Sequence, residues 1–140
     1  MTKNYKILTS YIRDISSKIT GTENYIYLKD NIPKYSIGID INSVPLKNNM
    51  AEVNIKLNFS DKNEKDQKVY FEMTHSTVVR VDESAVNKND LKKIFLSEVP
   101  TEMYPEIEKK FFEIVKSVGY PDIKLGKRIN FKDLFEKNQK

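Results

Sequence analysis

The sequence predicts an α+β fold, a four-stranded antiparallel sheet with C-terminal helices packed on one face. Two observations carry that expectation. Apolar residues recur every second position through most of the first 81 residues, with no long helical crossover between the runs. Beyond Asp82 the apolar spacing changes to three and four, the period of a helix with one buried stripe. Strands followed by helices, not alternating with them, put the helices on one face of the sheet. The 140 residues are the size of one ordinary domain, so residues 1–140 are read as a single unit.

The first strand is expected around Tyr11, Ile15 and Ile19, whose alternation with polar neighbours is imperfect, as in an edge or partly exposed strand. Gly21-Thr22 breaks the chain, Tyr25-Ile26-Tyr27-Leu28 reads as a short extended segment, and Pro33-Lys34 punctuates before the next element. Tyr35, Ile37, Ile39 and Ile41 then alternate strictly with polar residues or glycine. So do Val53, Ile55, Leu57 and Phe59, with Glu52, Asn54, Lys56 and Asn58 expected in water. The polar run Ser60 to Gln67 suits a hairpin connection. The longest strand runs from Val69 to Val81. One of its faces carries Val69, Phe71, Met73, His75, Thr77, Val79 and Val81; the other carries Tyr70, Glu72, Thr74, Ser76, Val78 and Arg80. Tyr70 and Val78 on the second face, with an exposed first strand, favour a partner subunit.

Either Asn87 or Asn89 caps a helix through Leu91, Ile94 and Phe95, and Pro100 is expected to end it. A second helix is expected from Thr101 or from Tyr104-Pro105. Its stripe is Tyr104, Ile107, Phe111, Ile114, Val115 and Val118, and Gly119 and Pro121 close it. Ile123 to Leu125 reads as extended, and Phe131, Leu134 and Phe135 as a short final helix after Asn130.

The composition, 39% hydrophobic and 31% charged, belongs to a folded domain. No apolar run approaches the ~20 residues that cross a bilayer, so no direct membrane insertion is expected. The first ten residues lack the apolar core of a secretion signal, and with no cysteine present a cytoplasmic location is expected. The net charge of +4 is spread among acidic residues without a basic block, so no nucleic-acid partner is expected. One histidine and no cysteine give no zinc site. His75 has no partnered nucleophile, and the four glycines form no phosphate loop. No catalytic residue, metal or cofactor is therefore assigned, and recognition of extended polypeptide at strand edges and apolar grooves is the function left.

Several strings point the same way. Tyr11-Ile12-Arg13-Asp14-Ile15-Ser16, Ala51 to Leu57 and Val69-Tyr70-Phe71-Glu72-Met73 fall in three of the strands. Tyr104-Pro105, Gly119 to Leu125 and Ile129-Asn130-Phe131-Lys132-Asp133-Leu134-Phe135 follow in the helical half. In their joint order they resemble the SecB family of export chaperones.

That resemblance implies a homotetramer, a dimer of dimers, that holds unfolded polypeptides without ATP and passes them to the motor SecA. It places Asp14 and Glu72 at acidic SecA-docking positions, with Tyr70 at an apolar one. Tyr25, Tyr27, Tyr35 and Val78 are the candidates for client groove or subunit interface. Lys18 stands where export members are commonly acidic, and the net charge is positive where theirs is strongly negative. The alternatives are a SecB-like chaperone dedicated to an antitoxin or another specific client, and a non-chaperone interaction domain.

Overall fold

A computed structural model describes residues 4–61, 68–82 and 87–121. The chain begins with β1 (Tyr5–Ile19), followed by α1 (Thr22–Asp30) and a 3₁₀ turn at Ile32–Lys34. β2 (Tyr35–Pro45), β3 (Met50–Asp61) and β4 (Val69–Val81) come next. A short helix, α2 (Lys88–Lys93), leads through a π-helical segment at Ile94–Glu98 into the long α3 (Val99–Val118). The four strands form one antiparallel sheet, as the period-two runs without helical crossovers predict, and the structure sets their order as β1-β4-β3-β2.

The two faces of β3 and β4 separate as the alternation requires. Val53, Ile55, Leu57, Phe59, Phe71, Met73 and Val79 are buried against Tyr104, Ile107, Phe111 and Val115 of α3. Phe71 meets Phe111 edge-on at 5.4 Å between ring centroids, and Tyr120 meets Phe59 at 5.9 Å. The Tyr120 hydroxyl donates to the carbonyl oxygen of Tyr70 (2.6 Å), fixing the end of α3 to the start of β4. Gly119 closes the helix in a left-handed conformation, φ 111°, which its missing Cβ permits. Of the expected stripe, Ile114 is only partly buried and Val118 is exposed.

β1 is longer than the alternation of its residues indicates. Register shifts between Ile7 and Thr9 and between Ile12 and Asp14 break the period of two. Each inserts a residue that changes which face follows, so no single alternation spans the strand.

Three expectations need correction. Tyr25 to Leu28 are helical within α1, not extended. Their aromatic and branched side chains favour strands weakly, and tertiary packing overrides them by burying Leu28 completely. Pro100 does not end a helix. The Val99 N–H bonds the Ile94 carbonyl five residues back, so the helix runs on through the π-helical turn and Pro100 sits just after it, within the continuous helix. Glu52 and Asn54 are not in water; they are 9% and 7% exposed.

Of the two candidate caps, Asn87 takes the role, its side-chain oxygen accepting from the Asn89 N–H (2.9 Å). The expected segments at Ile123–Leu125 and after Asn130, and most of the connection from Ser60 to Gln67, lie outside the described residues.

Candidate functional site

Two surfaces collect the candidate residues. The first is the sheet face turned away from α3. Cross-strand pairing places Asp14 opposite Thr74, Ser16 opposite Glu72, and Lys18 opposite Tyr70. Directly paired residues in an antiparallel sheet share a face. Asp14, Tyr70, Glu72 and Val78 therefore stand on one surface, drawn from the edge strand and its neighbour. The Ser16 and Tyr70 hydroxyls are 3.1 Å apart, and Lys56 Nζ lies 3.6 Å from Glu72 Oε2. That ion pair is half-exposed, so water screens it and it holds Glu72 only loosely.

Farther along this face lies a polar network that the alternation of β3 hides. Arg13, at the second register shift of β1, reaches across β4 and donates to Glu52 Oε1 (2.5 Å). The Tyr11 hydroxyl donates to the same oxygen (3.2 Å). Asn54 accepts from the Ser76 hydroxyl (2.5 Å) and donates to Asn42 Oδ1 (3.0 Å). The Arg13 hydrogen bond holds the Glu52 carboxyl below the usual carboxylate range, against the opposing effect of burial. The network ties β1 to β3 over the intervening strand and so fixes the strand that carries Asp14. The irregular alternation before Asp14 is the sequence signal for it, although it does not name Glu52 as the partner.

The second surface is a cleft of about 280 Å³ lined by Glu23, Asn24, Tyr27, Tyr35, Asp61, Lys68 and Val69. α1 supplies one wall and the ends of β2, β3 and β4 the other. Tyr35 stacks on the core residue Phe59 at 5.3 Å, which fixes its ring, whereas Tyr27 is 38% exposed. Lys34 Nζ sits 5.6 Å from the centre of the Tyr27 ring. Tyr25 lies apart from the cleft, its hydroxyl donating to the Gly119 carbonyl (2.6 Å) and joining α1 to the end of α3. The structure thus gathers Tyr27 with Tyr35, leaves Tyr25 as an inter-helix contact, and puts Val78 on the other surface.

Among the described residues no group of three or more His, Asp or Glu side chains is placed to hold a metal ion. No described helix is long and apolar enough to cross a membrane.

The family model described as preprotein translocase subunit SecB matches residues 1–140. The chain belongs to the SecB family. It is 43% identical over 136 residues to a putative protein-export protein SecB of Pelagibacter ubique, covering 97% of both chains. It is 26% identical over 132 residues to the protein-export protein SecB of Mesorhizobium japonicum, covering 93% of this chain and 76% of that one. In fold it is similar to a SecB-like chaperone of Mycobacterium tuberculosis, solved with a peptide from an antitoxin. That likeness has a TM-score of 0.63 at 8% identity, covering 91% of this chain and 92% of the other. As a SecB-family chaperone the protein acts by binding and is not an enzyme.

Proposed function

We propose that this SecB-family chain is a cytoplasmic holdase that keeps precursor polypeptides unfolded and delivers them to SecA. The observation that carries this reading is the likeness, over 97% of both chains, to a relative described as a protein-export protein. The two surfaces support a division of labour. The cleft between Tyr27 and Tyr35 offers one rigid and one accessible aromatic wall for client side chains. Binding of this kind tolerates many sequences, because apolar side chains and backbone groups recur in every client.

The sheet face turned away from α3 offers Asp14 on β1 and Glu72 on β4, with Tyr70 two residues before Glu72 on the same face, to a cationic partner surface. Carboxylates at the rim of an interface chiefly steer encounter and select the partner. Their removal is therefore read in association rate and salt dependence as well as in affinity.

Dilution of a chemically unfolded precursor into the purified protein, followed by light scattering, tests the holdase. Suppressed aggregation, absent with a folded control of similar charge, supports it; undiminished scattering rejects it. Calorimetry with purified SecA tests delivery, and no measurable binding rejects that half of the reading alone.

A second reading has its own support. Lys18 stands directly opposite Tyr70 on the proposed docking face, and the net charge is +4. Both oppose a cationic partner and favour a dedicated client, such as the antitoxin whose peptide occupies the structurally similar mycobacterial chaperone. Adjacent toxin and antitoxin genes, with direct binding of that antitoxin, would decide for it.

A further inference from the structure

His75 is completely buried on the helix-facing side of β4, and neither ring nitrogen has a hydrogen-bond partner. Its cross-strand neighbours are Ile12 on β1 and Ile55 on β3, both apolar, and Met73 precedes it on the same face of β4. Thr77, the next residue on that face, is also buried with an unpartnered hydroxyl. The charged groups that act on the ring come from α3: Lys110 opposes a positive imidazole and Glu106 favours it. Those two side chains pair with each other at 3.4 Å, so neither is committed to the histidine. A neutral ring in this position already leaves two polar atoms unsatisfied. A charged one adds an unpaired buried cation, which is far costlier.

We propose that His75 makes the contact between α3 and the sheet acid-labile, so that mild acidification loosens the helix layer from the strands. Burial, reinforced by Lys110, lowers the tendency of the folded protein to protonate this ring. The unfolded chain has no such restraint and takes up the proton near the ordinary histidine value of about 6.5. Stability is therefore fully present above that value and falls as pH drops through it, because protons bind preferentially to the unfolded state.

The chain has a single histidine and no cysteine, which makes the effect separable. Ordinary aspartate and glutamate groups titrate near or below about 4.3, and the α-amino group near 8. Between about pH 5.5 and 7 the ring is thus the principal side chain that titrates in the unfolded chain.

Urea unfolding of the whole protein at fixed concentration, at pH 7 and pH 5.5, is the test. If the folded ring takes no proton, the folding constant falls by up to about eightfold across this interval. In His75→Met, which keeps an apolar side chain in the site, the constant is expected to change by less than about twofold. Equal pH dependence in the two proteins overturns the proposal. Should the variant fail to fold, the Hε1 proton resonance of the wild-type histidine decides. No titration of the folded signal down to pH 5.5 supports the proposal, and a normal titration near 6.5 overturns it.

Discussion

Phe111 is 1% exposed and packs edge-on against Phe71, at the centre of the layer between α3 and the sheet. Phe111→Ala leaves a cavity that rigid strands cannot fill, and about 3–5 kcal/mol of stability is expected to be lost in denaturant melts. That residue was legible from its place in the sequence of α3, because a stripe at spacings of three and four leaves little choice of buried face. Glu52 was not legible. In a strand that alternates cleanly, a glutamate between apolar residues reads as solvated. Its burial depends on Arg13, 39 positions away and aimed by an irregularity in another strand. The lowered Glu52 pKa means that its contribution is present above the ordinary carboxylate range and lost as pH falls through the folded value. Glu52→Gln is therefore expected to be less stable than wild type at neutral pH, with the gap narrowing toward pH 4 in urea melts. A gap independent of pH would mean that the charge on Glu52 is not what holds Arg13.

At the scale of elements, the strands were legible and the joints between helices were not. Period-two runs mark β2, β3 and β4 because one face of each turns toward the core, fully buried in β3 and β4 and partly buried in β2. α1 has no comparable stripe. It is held by the complete burial of Leu28 and by the hydrogen bond from Tyr25 to the carbonyl of Gly119, both contacts with distant parts of the chain. Pro100 misled for a related reason, since a proline stops a regular α-helix but the π-helical turn before it shifts the hydrogen-bond frame. Gly119 joins these elements, as its left-handed backbone both ends α3 and presents its carbonyl to α1. Gly119→Ala is expected to cost about 1–2 kcal/mol through the strained backbone. Hydrogen exchange should rise in α1 as well as at the end of α3, because the acceptor of Tyr25 moves with the turn. Faster exchange confined to α3 would show that the tyrosine contact does not hold α1.

For the whole molecule, the strand register puts Asp14, Tyr70 and Glu72 on one face, but the register shift just before Asp14 breaks the alternation, so the face of Asp14 was not legible from periodicity. What covers the remaining apolar surface was not legible. Ile15 stands opposite the buried Met73, on the helix-facing side of the sheet, yet it is 44% exposed, so this part of the edge strand is left uncovered. Leu8 and Tyr11 on β1 and Ile26 on α1 are exposed as well. A strand 15 residues long at a sheet edge, carrying apolar side chains, is a template for association unless another chain covers it. The dimer of dimers that the family resemblance implies would supply that cover if β1 and α1 form the subunit contact. Ile15→Glu places a charge there without touching the core. Light scattering coupled to size-exclusion chromatography is expected to show a species smaller than the wild-type assembly, with an unchanged circular dichroism spectrum. If the client surface spans subunits, holdase activity per chain is expected to fall with the assembly. A variant with the same mass in solution as the wild type would remove β1 from the subunit contact and leave its apolar residues available to clients.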